Sequence, residues 1–303
     1  MKKNKILYVA VHFFNNKNKW RSETWIDKAF KDNYVDTLRI DYREVSKNKG
    51  FSYLKTIITS KSKECDVIFL QRGEKLQPSI FSDVKIPIIF WSTEPINLKN
   101  DVDQLLKSNI FSWVYLHSYG CYDRVKQEFG HLVNRCSVMH NALPKEKIFH
   151  HKKTRKYFAI FNRNRSFRRK WWLFKSRNLI KVIKGHYGDL YYDDLSNANI
   201  SINIHYSNKN KDDFETGIFE SLARGCAVVS ETLDSRVIDD LGLKDVIIEV
   251  KNPKDLYEKL IYLKNNFSVV QLYQNKSKKI IEKNTWDSRV LDIKKKIELL
   301  IGS

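Results

Sequence analysis

Long hydrophobic runs are missing from this sequence. No apolar stretch approaches the roughly 20 residues that cross a bilayer, so a helical membrane protein is excluded and a soluble chain is expected. Cysteine is scarce and scattered. Cys65, Cys121, Cys136 and Cys226 contain no Cys-x-x-Cys pair, which speaks against a zinc ribbon or dithiol motif and predicts reduced thiols in the cytoplasm. The glycine-rich phosphate cradles are also wanting. No Gly-x-Gly-x-x-Gly follows the apolar run at 6–11, and no Gly-x4-Gly-Lys-Ser/Thr occurs, which argues against an ordinary nicotinamide site and a P-loop. Neither a repeat nor a long low-complexity tract is present, so a solenoid is not expected. Acidic residues are outnumbered, 35 against 55 Lys and Arg, for a formal charge of +20. Such a surface attracts nucleic acid, anionic lipid or phosphate-bearing substrates, and charge by itself does not choose among them.

What is present is a chain of 303 residues, 42% hydrophobic, enough for two cores of about 150 residues each. The basic start Met1-Lys2-Lys3-Asn4-Lys5 is followed by an apolar run that ends at His12 without a small-residue cleavage site, so a buried strand is expected there rather than a signal peptide. Short apolar runs at 66–70, 87–91 and 113–116 continue the pattern. Segments with helical spacing lie between them at 23–31, 51–60, 102–107 and 122–129. This is the alternation of βα units with a parallel sheet. The polar stretch around Asn141 to Lys147 contains Pro144, one of only five prolines, and is placed as the linker. Alternation then restarts at 157–161, 200–204, 227–230 and 246–250, with helices including 214–224 and 253–264. A final helix from Trp286 has a broad apolar face. The expected domains are therefore 1–143, 144–285 and a closing helix at 286–303 packing back towards the first.

The densest chemical signal spans 199–230. A strand ending in Ile204-His205 leads through a polar loop to Asp212, Phe214-Glu215-Thr216-Gly217, a helix carrying Glu220, the stop Gly225 and the strand Ala227-Val228-Val229. Gly225 sits where a helix end needs a left-handed residue. Ligands of open α/β sheets bind outside the carboxyl ends of the strands, which directs a diphosphate to the Thr216–Gly217 helix start. A cluster of cations, Arg163, Arg165, Arg168, Arg169 and Lys170, follows the 157–161 strand at the same edge.

Asp212 and Glu220, separated by seven residues, together with the run Glu220-Ser221-Leu222-Ala223-Arg224-Gly225-Cys226-Ala227-Val228-Val229, resemble the retaining E-x7-E glycosyltransferases of the GT-B class, glycosyl transferases group 1. With Ile202-Asn203-Ile204-His205 before a Phe-Glu turn, the CgeB-like branch is the nearest likeness. The resemblance implies an α/β fold of two Rossmann-like domains facing a central cleft, a hexosyltransferase-type activity and retention at the anomeric carbon. It implies a nucleotide-sugar donor and a glycan, lipid-linked or other cell-surface polysaccharide acceptor. Glu220 is then the residue for the ribose hydroxyls, a role suited to a carboxylate accepting from a vicinal diol. Arg163 with Lys170 would neutralise the departing diphosphate, with Arg168 or Arg169 as substitutes. The sugar-facing carboxylate stays open between Asp212 and Glu215. Glu94, at the end of the 86–91 strand, is a further catalytic candidate towards the acceptor, and His205 is a donor-side candidate. His117 and Ser118 could line the same cleft.

No catalytic metal and no cofactor are expected. Asp189 with the Tyr191-Tyr192-Asp193-Asp194 cluster has the composition of a metal motif but reads as a polar helix start, and His150-His151 diverge as neighbours. An anionic membrane surface fits the basic charge, placing the protein on the inner membrane face. Two alternatives stay open: a nucleic-acid-binding protein, suggested by the cations beside Trp171 and Trp172, and a catalytically inactive sugar-nucleotide binder. Against nucleic acid, Trp171, Leu173 and Phe174 are expected to form a core face.

Overall fold

The computed structural model of the chain describes residues 4–11, 21–93, 96, 101–148, 154–164, 166–206 and 215–302. Two compact units emerge. The first comprises residues up to Asn141 together with Trp286 onward, and the second is Ala142–Thr285.

The first unit alternates strand and helix: β1 (Lys5–Ala10), α1 (Ser22–Asp32), β2 (Asp36–Asp41), α2 (Tyr42–Ser62), β3 (Val67–Gln71), β4 (Ile88–Ser92), α3 (Asp103–Lys107), β5 (Trp113–Leu116), α4 (Tyr119–Glu128) and β6 (Cys136–Val138). Its sheet has the order β2-β1-β3-β4-β5-β6, with every pairing parallel. Parallel strands are covered on both faces, so they read as continuous apolar runs. β3 (VIFLQ) and β4 (IIFWS) are accordingly buried at every residue. Gly50 breaks α2 with φ 81°, so this helix begins nine residues before the apolar periodicity at 51 becomes visible.

The second unit repeats the scheme with β7 (Tyr157–Phe161), α5 (Phe167–Phe174), β8 (Ile180–Val182), α6 (Asp189–Ser196), β9 (Ala198–Asn203), α7 (Gly217–Ala223), β10 (Ala227–Glu231), α8 (Ser235–Leu241), β11 (Ile247–Val250), α9 (Pro253–Asn265) and α10 (Phe267–Lys283). Its parallel order is β11-β10-β9-β7-β8. The chain then returns to the first unit as α11 (Trp286–Ile301), which packs on α1. Trp286 sets its ring edge-on to Trp91 at 5.8 Å, and Arg289 Nε donates to the His140 carbonyl at 2.9 Å. The two ends of the second unit lie side by side. Leu143 and Thr285 form a parallel bridge, and the Leu143 N–H donates to the Asn284 carbonyl at 3.3 Å.

The expected α/β architecture of parallel sheets is present in both units. One local expectation is overturned. On α5 the buried pair is Trp172 and Leu173, whereas Trp171 and Phe174 are exposed at 60% and 67%. The inward face of this helix is set by its arginines, as the site makes clear.

Candidate functional site

Strand order in the second unit reverses between β7 and β9: β8 lies on one side, and β10 and β11 on the other. Such a switch point opens a crevice at the strands' carboxyl ends. Arg163 follows β7 there, and Ile204-His205-Tyr206 follow β9.

α5 stitches these two loops together. Its N-cap Ser166 accepts the Arg169 N–H at 3.2 Å and donates its hydroxyl to the Tyr206 carbonyl at 3.0 Å. Arg169, almost fully buried, donates Nε to the Ile204 carbonyl at 2.7 Å and Nη1 to the Asn164 carbonyl at 2.8 Å. Its Nη2 meets both Glu215 oxygens at 2.9 and 3.1 Å. Burial pulls the Arg169 guanidinium pKa down, Glu215 opposes this and Arg163 adds to it. An arginine nevertheless stays charged in a protein, so the pair is ionic. Arg168 reaches the other way, to the His205 carbonyl at 2.9 Å and in a close ion pair to Glu231, whose second oxygen accepts the His205 N–H at 3.2 Å.

Arg163 occupies the centre. Its guanidinium lies over Gly217 so closely that a Cβ there would stand 1.7 to 2.1 Å from three of its atoms. Only a glycine admits this seat. Glu215 is 3.7 Å away as an ion-pair partner. Burial would lower the Arg163 pKa, but Tyr191, Glu215 and Glu220 reverse this and bring it above the ordinary arginine value. Glu220, in the first turn of α7, accepts from Tyr192 Oη at 3.1 Å. Burial and then Glu220 push the Tyr191 and Tyr192 phenols well above the usual tyrosine range, so both stay neutral and Tyr192 remains a donor. A carboxylate has about four acceptor positions, so Glu220 keeps capacity for a ligand. Behind the site Gly225 ends α7 with φ 71°, the left-handed value expected of it.

The structure thus brings Arg163, Glu215, Gly217 and Glu220 into one cluster. Thr216 precedes α7 half-buried, and its carbonyl accepts the Glu220 N–H at 3.1 Å. Lys170 is exposed on α5. His205 is wholly buried with Nε2 3.3 Å from the Thr232 carbonyl, so its backbone rather than its ring meets Arg168. Asp212 and Glu94 lie outside the described residues, as do Arg165, His150 and His151. Asp189 starts a helix. Ser118 caps α4 by accepting the Cys121 N–H at 3.3 Å, and His117 is buried beside it with Nδ1 3.6 Å from Cys121 Sγ. Among the described residues no group of three or more His, Cys, Asp or Glu is arranged to hold a metal ion.

Sequence reasoning missed Tyr191 and Tyr192, whose composition pointed to a metal motif, and the organising role of Arg169. It also missed a polar cluster in the first unit, at the reversal between β1 and β3. There Gln71 Nε2 donates to Ser22 Oγ at 3.2 Å and Thr93 Oγ1 at 3.3 Å, and Arg72 pairs with buried Glu23 at 3.3 Å. Arg72 holds φ 73°, a conformation non-glycine residues rarely adopt outside functional or tightly constrained loops.

Two α/β units with parallel sheets, and helices between the strands, define the GT-B glycosyltransferase fold. Solved structures sharing it include a glycosyltransferase from Rickettsia africae ESF-5, with TM-score 0.71 at 12% identity over 98% of this chain and 99% of that one. A sucrose-phosphate synthase from Thermosynechococcus elongatus is similar at TM-score 0.68 and 9% identity, over 99% and 100% of the two chains. Anabaena HepE in complex with UDP and glucose gives TM-score 0.64 and 9% identity, over 98% and 100%. No protein-family profile matches the chain, and no curated protein matches it in sequence.

Proposed function

We propose that this chain is a hexosyltransferase-type glycosyltransferase that binds a nucleotide-sugar at the β7/β9 switch point and transfers the sugar with retention. The observation that carries the reading is the Arg163 guanidinium seated on Gly217, 3.7 Å from Glu215 and within the electrostatic reach of Glu220, at the crevice where this fold class presents ligands. HepE, of the same fold, is complexed with UDP and glucose. In this reading Glu220, steadied by Tyr192, accepts from the ribose diol. Arg163 and Lys170 meet the diphosphate, whose negative charge grows as it leaves. The Thr216–Gly217 turn contributes backbone N–H donors.

Glu215 is committed to Arg169, which suits it to hold Arg163 in place. Asp212 is then the proposed sugar-facing carboxylate, within the E-x7-E pattern and CgeB-like resemblance of the sequence, and Glu94 the proposed catalytic candidate towards the acceptor. The cations of the site meet the diphosphate charge, and no metal or cofactor is proposed. The proposed acceptor is a glycan or lipid-linked polysaccharide precursor, approached from the cytoplasmic side of a membrane.

Thermal unfolding with UDP-, GDP-, ADP-, CMP- and dTDP-sugars, for the wild type and Glu220→Ala, tests the donor assignment. A ligand at a hundred times its Kd stabilises the native state by about 2.7 kcal/mol. One nucleotide series is expected to raise the wild-type Tm, with the response weakened about tenfold or more in apparent affinity in the variant. No shift with any sugar nucleotide, alongside a shift with nucleic acid, sinks the reading. A donor that binds and is never consumed by any acceptor marks an inactive sugar-nucleotide binder instead.

A further inference from the structure

The outer face of α5 carries an aromatic stripe that stays largely exposed among the described residues. Phe167, Trp171 and Phe174 recur at i, i+4 and i+7, so they stand on one side of the helix, exposed at 87%, 60% and 67%. The opposite side is locked by the Arg168–Glu231 and Arg169–Glu215 ion pairs and by buried Trp172. The helix therefore cannot roll to bury the stripe without breaking those pairs. Cations rim it: Lys170, Lys175 and Arg177 are exposed, the Arg177 guanidinium lies 4.8 Å from the Phe174 ring, and Lys175 Nζ lies 5.3 Å from the Tyr257 ring.

The chain that carries it is one-signed over a long stretch, although the neighbouring α9 bears Asp255 and Glu258. From Lys147 to Gly188 the chain has 14 Lys and Arg and no Asp or Glu, within a molecule whose net charge is +20. Exposed aromatic rings flanked by cations on the face of a rigid helix match the boundary layer of an anionic bilayer, where rings enter the headgroup region and cations meet lipid phosphates. Single-stranded nucleic acid would also be attracted by charge, but it needs ring faces spaced along a groove. Here the three rings project from one convex helix.

We propose that α5 docks this protein on anionic membrane surfaces through Phe167, Trp171 and Phe174, with Lys175 and Arg177 on the lipid headgroups. The inference stands apart from the transferase reading, because it needs no donor or acceptor.

The test is co-sedimentation of the full chain with vesicles of equal parts phosphatidylglycerol and phosphatidylcholine, and with pure phosphatidylcholine vesicles. Binding to the anionic vesicles only, reduced by salt, is expected, with a blue shift of tryptophan emission that Trp171→Phe abolishes. The triple variant Phe167→Ser, Trp171→Ser, Phe174→Ser should weaken vesicle partitioning at least about tenfold. Because all three side chains are exposed, its Tm should match the wild type. Lys175→Glu with Arg177→Glu should remove most of the salt-sensitive part while keeping the rings. Equal vesicle binding by the wild type and the aromatic variant overturns the proposal, since it leaves diffuse charge as the sole cause. Absence of vesicle binding also overturns it. In that case an oligonucleotide complex lost in the aromatic variant assigns the face to nucleic acid, and a concentration-dependent dimer lost in it assigns the face to a second copy.

Discussion

At the scale of single residues, the cluster at the second switch point depends on one missing methyl group and one buried guanidinium. Gly217→Ala builds a Cβ into the space of the Arg163 guanidinium, the far end of a flexible side chain, so the arginine is displaced while the backbone stays. The expected result is a Tm within a few degrees of the wild type but nucleotide-sugar affinity lowered about tenfold, read from ligand-dependent thermal shifts. Arg169→Met has the opposite profile. It leaves the Ile204 and Asn164 carbonyls without their donor and Glu215 with only the longer Arg163 pair, so stability should fall by about 1–3 kcal/mol in urea denaturation even without ligand. That Glu220 and Arg163 lie at one sheet edge was legible in the sequence, because motif spacing and strand-end position are local properties. Tyr192 was not, because its hydroxyl meets Glu220 across 28 positions of chain that only the folded sheet brings together.

Among elements, α11 shows how far a terminal helix can matter. Trp286 closes over Trp91 on the sheet of the first unit, and Val290, Ile293 and Ile297 are buried below it. Trp286→Ala is expected to cost about 3–5 kcal/mol, seen as a lower urea midpoint and loss of the Trp91 fluorescence environment. The elements most visible in the sequence were those buried on both sides, such as β3 and β4, whose apolar runs are unbroken. β2 and β8 escaped notice for a physical reason. Both are edge strands, with Asp36, Arg39 and Asp41 in one and Lys181 in the other, and an edge tolerates such charges. The helical phase of α5 misled for another reason: aromatic periodicity pointed one face inward, but Arg168 and Arg169 had to reach Glu231 and Glu215. Partly buried ion pairs outranked hydrophobic pattern.

Across the whole molecule, burial of neutral acids sets the response to alkali. All four thiols are buried, and burial pushes Cys65 and Cys136 up to about 11 and Cys226 up to about 12. An exposed thiol ionises near pH 8.5, so above about that pH the unfolded chain sheds protons that the native chain retains. Folding stability from these groups is therefore complete below about pH 8.5 and declines as pH rises towards the native values. Urea midpoints should fall steadily from about pH 8.5 to 10.5, with a shallower slope in Cys226→Ala, and native thiols should react with a disulfide reagent far more slowly than unfolded ones. A pH-independent midpoint over that range would contradict the assignment.

The bridge between Leu143 and Thr285 has a consequence for the architecture of the polypeptide. Because its entry and exit are neighbours, roughly one strand spacing (~4.8 Å) apart, the second unit is an insertion within the first rather than an appendage to it. The two ends run parallel, so joining them in an excised module would take a loop that crosses back rather than a tight turn, while the host would need only a linker from Asn141 to Trp286 to keep α11. The same adjacency makes the segment an exchangeable cassette: a different α/β unit with neighbouring ends could be grafted between the same two points without re-routing the host chain.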